Sequence, residues 1–433
     1  MASDFVTEER VMFDELIAKF NDNNITAKQA HKFKMPELTG ARTGNNTTQE
    51  LWRPLPYRGK SVKGRVLQDA DFTTRTQLAV PSTLDFNDSD PSDLISNAFT
   101  MNAVELNDAQ QRDRIIDSTI QKLSSDLDVI MAEEIAFKGS IFVADSAAIT
   151  NYSQMVTAES LMTIRGVPLT DPRTVIMNAI DWNGISGNLA NRDAPPTGVS
   201  LTAFERSMIP RIATFDSFKA NFAPSLAATT ATGYTVNGNQ KFIPRAKDAN
   251  GRNIDNRTML LTVQTGTGGA PGDAFSIAGI NALGKINKKN SLRPQTFRIV
   301  KVNSATEWEI TPPIITNNLT ASPTPVGAEL EYANCSDEAN DTAVITFLNT
   351  VDALTNIFFV NEAVEIVHGS LAMADMNSGG VSSMRRATDS GIELVLMKSS
   401  SINTLDTKYR ILMWARGNVL EPEMCGVVIG NQT

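Results

Sequence analysis

Residues 232–239 read Thr-Gly-Tyr-Thr-Val-Asn-Gly-Asn, a short β-prone run that ends in an Asn-Gly turn. The same alternation of short apolar runs and turn residues continues from about 226 to 349, and it interrupts a chain that is otherwise acidic and partly helical. The strands predicted within it are 234–236, 259–263, 275–278, 296–302 and 308–311. Strands this short and closely spaced usually close into a barrel or sandwich, so the stretch predicts an inserted β-module.

The inserted stretch also differs in charge from the rest of the chain. Residues 241–301 contain eleven Lys/Arg and three Asp/Glu, which leaves 28 of the chain's 39 bases and 45 of its 48 acids for the rest. Surfaces of opposite sign attract each other and fix the register of a complex. The distribution therefore favours contact surfaces over a catalytic pocket.

Length and composition limit the class of protein. At 433 residues the chain should form two or three domains. Its N-terminus lacks the basic and apolar regions of an export signal, so we expect it to stay in a cytoplasm. Cys335 and Cys425 have no metal-ligand spacing and are expected to be buried thiols. A net charge of −9 argues against condensation of nucleic acid through the chain's own charge.

Two helices are predicted with defined apolar faces. The first covers residues 5–21, and its apolar positions at helical spacing are Phe13, Leu16, Ile17 and Phe20. This face either packs on its own domain or binds a partner. The second covers residues 107–138, with a stripe of Ile116, Ile120, Leu123, Leu127 and Ile130. Its other faces carry Asp113, Asp117, Asp126, Asp128, Glu133 and Glu134.

Residues 51–67 carry five bases and no acid, and they predict a long hairpin with its tip near Gly59 or Gly64. The partner of such a hairpin should be acidic.

Motifs that would indicate catalysis or a cofactor fail on inspection. Gly59-Lys60-Ser61 lacks the earlier glycine of a phosphate-binding loop, because Pro54 stands there. Asp88-Ser89-Asp90 cannot open a calcium loop, since its sixth position is Asp93. His31 and His368 are expected to be structural or surface residues. We therefore predict no catalytic residue, no cofactor site, no metal site and no enzymatic activity.

The cluster Lys285, Lys288 and Lys289 has no interleaved aromatic residues to stack on bases. A solvated face or a protein contact is a better interpretation than nucleic-acid binding.

Several ordered motifs of the insert point to one family: Ile254-Asp255-Asn256-Arg257, Glu309-Ile310-Thr311-Pro312 and Tyr332-Ala333-Asn334. They resemble the major coat protein of short-tailed, lambdoid Salmonella-type bacteriophages. The resemblance covers nearly the full length, although between about 86 and 210 it depends on pattern more than identity. It implies an α+β fold of the tailed-phage (Hong Kong coliphage-type) major capsid class, with an inserted six-stranded antiparallel β-barrel.

The resemblance also implies a division of the chain. The N-terminal arm is 1–48, the extended β-hairpin loop 49–82, and the peripheral domain with its long spine helix 83–140. Residues 141–225 are the first part of the axial and peripheral domains, 226–348 the inserted barrel, and 349–433 the completion of the axial and peripheral domains.

Three sets of contact residues follow from the resemblance. The basic hairpin would reach over the spine helix of a neighbouring subunit, with Arg58, Lys60, Lys63 and Arg65 facing Asp113, Asp117 or Asp126. A loop with Lys247, Asp248 and Arg252 would meet its counterpart across a two-fold axis, or else it is a solvated turn. Asp14 and Glu15 are expected near the binding site for a scaffolding protein.

The resemblance implies a major capsid protein of the virion that is assembled in the bacterial host cytoplasm. Its partners would be itself in hexamers and pentamers, a scaffolding protein, a portal protein at one vertex, and encapsidated double-stranded DNA bound without sequence specificity, with no membrane. The icosahedral procapsid would later expand and fill with DNA. The alternatives are an encapsulin-like nanocompartment shell and, from another class, a cytoplasmic carbohydrate-active or carbohydrate-binding protein.

Overall fold

The structure is a computed structural model that describes residues 7–36, 48–55, 77–86, 93–102, 104–105, 108–191, 198–264, 266–316, 327–371, 382–388, 390–401, 403–404 and 406–432. The chain forms two compact units. Unit 1 comprises Met1–Leu51, Ser82–Ala132 and Glu365–Asn418, and unit 2 comprises Trp52–Pro81, Glu133–Val364 and Val419–Thr433.

The described helices are α1 (Thr7–Asn23), α2 (Thr26–Gln29), α3 (Ala109–Lys138), α4 (Tyr152–Ile164), α5 (Ala179–Ala190), α6 (Val199–Arg206) and α7 (Gly327–Tyr332). The two helices predicted from apolar periodicity are confirmed as α1 and α3, with starts shifted by two residues. Single turns of 3-10 helix lie at Asn361–Ala363 and Pro422–Met424.

The described strands, in chain order, are β1 (His31–Lys34), β2 (Thr48–Pro54), β3 (Ala79–Asp85), β4 (Leu94–Asn102), β5 (Ile141–Ala144), β6 (Arg173–Asn178), β7 (Arg211–Ile212), β8 (Phe215–Ala220), β9 (Ser225–Leu226), β10 (Met259–Thr262), β11 (Ala274–Leu283), β12 (Asn290–Ser304), β13 (Glu307–Thr311), β14 (Ile345–Phe347), β15 (Ala353–Leu354), β16 (Asn356–Val360), β17 (Val364–His368), β18 (Ser382–Ala387), β19 (Glu393–Ser400), β20 (Asp406–Val419) and β21 (Cys425–Ile429).

Unit 1 is built on a mixed sheet of order β1-β17-β20-β19-β18, with β4 paired to β20. Helix α1 lies against this sheet, because Glu9 is 2% exposed and accepts hydrogen bonds from Tyr409 (2.7 Å) and Lys398 (2.8 Å). Phe13 and Leu16 of α1 are fully buried. Of the two alternatives for this face, packing within its own chain is the one observed.

The spine helix α3 buries four of the five residues of the predicted stripe, while Ile130 is half-buried. Ile116, Ile120, Leu123 and Leu127 are each at most 1% exposed. The prediction that every acid lies on the outer faces is wrong at Asp128, which is 1% exposed. Its carboxylate accepts hydrogen bonds from the backbone N–H groups of Ile25 (2.8 Å) and Ala27 (3.0 Å) and so holds the start of α2.

Unit 2 contains a second six-stranded sheet of order β5-β21-β16-β6-β8-β7. Strands β6, β16 and β21 are buried along their whole length, as expected for strands covered on both faces. Helix α5 begins directly after β6, where the Asn178 side chain accepts hydrogen bonds from the backbone N–H groups of Ile180 and Asp181.

The insert of unit 2 is an antiparallel barrel. Five strands form a sheet of order β10-β13-β12-β11-β14. Residues 234–236 join its two edges, because Thr235 bridges to Val344 beside β14 and Val236 bridges to Val263 beside β10. The regular part of the predicted six-stranded barrel is thus a five-stranded sheet, and residues 234–236 add to it only by isolated bridges. Its core holds Trp308 against Tyr234, with ring centroids 4.5 Å apart.

Two elements of the insert lack a sequence signal. Strand β14 has three residues and helix α7 has six. Neither length covers a period of apolar residues long enough to identify a strand or a helix. Strand β12, by contrast, is longer than predicted, with 15 residues.

Candidate subunit-contact surfaces

The outer loop of the insert, residues 246–254, is a compact turn. Lys247 and Asn253 form an antiparallel bridge, and the backbone N–H of Gly251 donates to the carbonyl of Asp248 (3.1 Å). Gly251 has φ +78°, which glycine adopts without steric cost. The loop therefore has a defined shape without a partner.

The loop carries the predicted mixture of signs, and its own hydrogen bonds hold the carboxylate of its single acid, Asp248. Asp248 Oδ1 accepts from the backbone N–H groups of Asn250 and Arg252, both at 2.8 Å. The side chains of Lys247 and Arg252 are exposed, and neither forms an ion pair within the part of the chain that the structure describes. The loop thus presents mainly positive charge, together with the second carboxylate oxygen of Asp248.

The acids of the spine helix differ in what they bind. Asp117 pairs with Lys19 of α1 at 2.7 Å, and the pKa of Lys19 is raised chiefly by this hydrogen bond. Asp126 pairs with Lys122 one turn earlier at 2.6 Å. Asp113 is exposed, and the structure gives it no ion pair among the described residues. Two of the three predicted acids therefore already have a partner in their own subunit.

The acids of the N-terminal helix are exposed but not equivalent. Asp14 pairs with Arg386 of β18 at 2.7 Å, and both side chains are about half exposed. Glu15 is exposed on the next position of the helix. Both carboxylates remain in reach of solvent.

The basic hairpin is described only at its base. Strands β2 and β3 pair, and the backbone N–H of Leu55 donates to the carbonyl of Leu78 (2.8 Å). The paired strand β3 starts at Ala79, within the range of 49–82 given for the extended loop. The four predicted contact residues Arg58, Lys60, Lys63 and Arg65 lie outside the described residues.

The lysine cluster is divided: Lys289 is exposed, but the expectation of a solvated face is wrong for Lys285. Lys285 is 7% exposed and forms ion pairs with Glu421 and, at 3.8 Å, with Glu423. Lys288 donates to the carbonyl of Ala333 at 3.0 Å. Charged side chains are seldom buried without a partner, and here two acids far along the chain supply the partners.

Sequence reasoning missed a buried polar network where the insert joins its host, which we call the insert base. Asp273 is 4% exposed and accepts hydrogen bonds from Thr229 Oγ1 (2.8 Å), Ala270 N–H (2.9 Å) and Asn349 Nδ2 (2.8 Å). Asn349 also donates to the carbonyl of Ala227 and accepts from the backbone N–H of Ala274, both at 3.0 Å. Both ends of the insert are therefore tied to one turn.

The insert base also holds the last turn of the spine helix. Arg298 of β12 is fully buried, donates to the carbonyl of Ala136 and lies 4.9 Å from the ring centre of Phe142. Burial lowers the pKa of Arg298 to about 9, while Asp273 acts in the opposite direction. At Gly272, with φ +93°, an added Cβ would lie 2.5 Å from Phe137.

The two cysteines were predicted to be buried thiols, and the two histidines to be structural or surface residues. Cys335 and Cys425 are buried, which confirms that prediction, and burial raises the pKa of Cys425 to about 12. Burial lowers the pKa of His368 to about 4, and His31 is exposed. The described ranges contain no group of three or more His, Cys, Asp or Glu arranged to hold a metal ion. None of their helices is long and apolar enough to cross a membrane.

The sequence model of the family described as "P22 coat protein - gene protein 5" matches residues 1–430, nearly the whole chain. The chain belongs to the P22 coat protein family. This assignment confirms the family resemblance, the tailed-phage capsid class of the fold and the location of the protein in the virion capsid. The insert itself is similar to the solved CUS-3 coat protein I-domain, at 36% identity over 27% of this chain and 95% of that one, with a TM-score of 0.23.

Two solved capsids match over most of the P22 coat family chain at low identity. The capsid structure of cyanophage P-SCSP1u shares 10% identity over 94% of this chain and 88% of that one, with a TM-score of 0.44. The mature capsid of bacteriophage PhiM1 shares 7% identity over 94% and 87%, with a TM-score of 0.43. The family assignment depends on the sequence model and not on these two superpositions.

Proposed function

We propose that this chain assembles with a scaffolding protein into an icosahedral procapsid, which later expands and is filled with double-stranded DNA. The observation that carries the proposal is the family match over residues 1–430. The family consists of structural capsid proteins, and its members form the walls of shells. Copies of this chain are thus its main partners, while the scaffolding protein, the portal protein and DNA belong to the proposal.

The charged surfaces support many weak contacts between copies. An exposed ion pair contributes at most about 1 kcal/mol, so no single pair fixes a subunit in place. Repetition of such pairs around a closed shell supplies order, and weak individual contacts allow a misplaced subunit to leave. We propose that the basic hairpin of one copy meets Asp113, Asp117 and Asp126 of its neighbour, with Asp113 as the acid that has no ion pair of its own among the described residues.

We propose a two-fold contact between outer loops. An isologous contact places the same residues opposite each other, so each loop must supply both signs. Arg252 and Lys247 supply the positive charge, and the Asp248 carboxylate keeps one oxygen that its own backbone does not use. The contact would therefore pair Arg252 of one copy with Asp248 of the second.

The proposed scaffold site is the exposed end of α1 that carries Asp14 and Glu15. A basic helix of a scaffolding protein would compete with Arg386 for Asp14. Reversal of both charges with Lys should abolish scaffold-dependent assembly and leave the fold of the chain intact. Normal assembly of that double variant with scaffolding protein would show that Asp14 and Glu15 are not part of the scaffold site.

Electron microscopy of the expressed chain, with and without scaffolding protein, tests the function as a whole. The proposal expects closed icosahedral particles whose yield and uniformity depend on scaffolding protein. Particles that hold a protein cargo and never DNA would favour the nanocompartment alternative. A chain that stays monomeric under all conditions would overturn the proposal.

A further inference from the structure

A groove of about 460 Å³ lies in unit 2 between helix α4, strand β5 and the insert. Phe142 and Val143 of β5 are buried at its floor, and half-buried Val156 and Leu161 of α4 form one wall. The opposite wall belongs to β11 and β12 of the insert, with Ser276 and Thr296. This volume is in the range of small-molecule sites.

The lining of the groove combines apolar surface with positive charge. Of its described lining residues, nine are apolar, five carry hydroxyl groups, two are arginines, and none is acidic. This absence of acids contrasts with a chain that has 48 Asp/Glu and 39 Lys/Arg. A mostly apolar cavity with a few convergent polar groups is the usual form of a binding site for a small ligand.

Arg165 gives the groove a buried cation with an unused donor. The residue is 5% exposed, and its two Nη atoms donate to Ser140 Oγ (3.1 Å) and Thr296 Oγ1 (3.2 Å). Its Nε–H is buried and has no acceptor among the residues that the structure describes. Burial lowers the pKa of Arg165 to about 10, partly offset by Glu423, so the guanidinium is charged at neutral pH. Nε is closed to solvent, so a group bound in the groove would meet the charge of the guanidinium and not this donor.

We infer that this groove binds an amphiphilic anion, with a carboxylate or sulfonate head near Arg165 and an apolar body between α4 and β5. The positive charge of Arg165, whose side chain lines the groove, would select the anion, and the apolar walls would select its tail. The exposed guanidinium of Arg293 at the rim would add attraction of longer range.

The test uses the full-length, unassembled chain and three ten-carbon probes: decanoate, decanol and decyltrimethylammonium, all below their micellar concentrations. Calorimetric titration should show decanoate bound at least tenfold more tightly than the other two, because unlike charges attract strongly where little water screens them, and a neutral or cationic head gains no such attraction. Decanoate should also raise the melting temperature in a concentration-dependent way. Equal binding of decanol and decanoate would overturn the selection of an anion.

A matched pair of variants on one helix locates the site. Ser160→Phe places a ring in the groove and should weaken decanoate at least tenfold, while Ser153→Phe changes an exposed position outside the lining and should leave it unchanged. Arg293→Gln should weaken binding about threefold at low salt and less at high salt. Unchanged affinity in Ser160→Phe would place the ligand elsewhere.

A second copy of the chain is the competing occupant. If decanoate fails to bind the free chain, and backbone amides of α4 become protected from hydrogen exchange only on assembly, the groove is a subunit contact and the inference is wrong.

Discussion

The insert base and the outer loop belong to the same module and use the same residue types, but water reaches only one of them. At the base, Asp273 is 4% exposed and Asn349 is fully buried, and each binds several backbone and side-chain groups. In the outer loop, Lys247 and Arg252 are exposed. Among the described residues, the Asp248 carboxylate accepts hydrogen bonds only from backbone N–H groups of the same loop. Buried polar groups that lose a partner cannot turn to water, whereas exposed groups can. The base therefore fixes the insert on its host, and the loop is left for weak, reversible contacts.

The largest expected effect comes from Gly272→Ala at the base. The new Cβ would lie 2.5 Å from Phe137 at a φ of +93°, so overpacking and backbone strain add up. We expect the free energy of unfolding to fall by about 3 kcal/mol or more, measured by urea unfolding of the unassembled chain. Gly279→Ala is the control, because its φ is +88° but no atom lies within 4 Å of the new Cβ. Equal losses in both variants would show that the contact with Phe137 contributes nothing.

The substitution Asp→Asn at two positions tests the comparison directly. Asp273→Asn leaves one acceptor oxygen for three donors and should cost about 2–3 kcal/mol, because buried donors lose their acceptors. Asp248→Asn keeps an oxygen that can accept both backbone N–H groups, so it should cost less than about 0.5 kcal/mol. The measurement is the denaturation midpoint of each variant. A larger loss at Asp248 would contradict the assignment of the fixing role to the base.

Asp128 tests the effect of burial on a carboxylate that accepts hydrogen bonds from backbone N–H groups. Unlike Asp248 it is 1% exposed, and burial raises its pKa from 3.8 to about 6, although the hydrogen bonds from Ile25 and Ala27 act in the opposite direction. Between pH 6 and pH 3.8 the Asp128 carboxyl group is protonated in the folded state and ionised in the unfolded state. Its contribution to the free energy of unfolding therefore rises as the pH falls through 6. Relative to Asp128→Asn, the wild type should gain about 1 kcal/mol between pH 7.5 and pH 5.

The measurement for Asp128 is urea unfolding of both proteins across that pH range, with Asp126→Asn as the partly exposed control on the same helix. A difference between wild type and Asp128→Asn that stays constant with pH would show that Asp128 does not titrate there.

The smallest effect on stability is expected for charge reversal in the outer loop. Lys247→Glu with Arg252→Glu should change the free energy of unfolding by less than about 0.5 kcal/mol, since both side chains are exposed. The same double variant should lower the yield of closed particles, because like charges would then face each other across the proposed two-fold contact. Lys408→Glu, exposed on β20, is the control for a general change of charge. Normal particles from the loop variant would contradict the proposed two-fold contact. A large loss of stability in the variant would contradict the difference proposed between the outer loop and the insert base.

Sequence reasoning located the elements whose signals are local. Apolar spacing identified α1 and the spine helix to within two residues, and turn residues marked most strands of the barrel. It failed where burial depends on partners far along the chain: Lys285 is buried because Glu421 and Glu423 lie beside it, and Asp128 because the start of α2 covers it. Strand β14 was missed because its three residues are ordered only by pairing with β11.

The sequence by itself determined the family, the inserted barrel, the excess of acid outside it and the absence of recognised catalytic motifs, because these depend on residue order, composition and short-range periodicity. Only the tertiary structure decided which charges are available to a partner. The same three residue types occur in both environments: Asp273, Arg298 and Lys285 in the interior, and Asp248, Arg252 and Lys247 outside it. The first three are buried and form hydrogen bonds or ion pairs within the chain. The physical reason is that the strength of a charge's contacts depends on its distance from water, and long-range packing sets that distance.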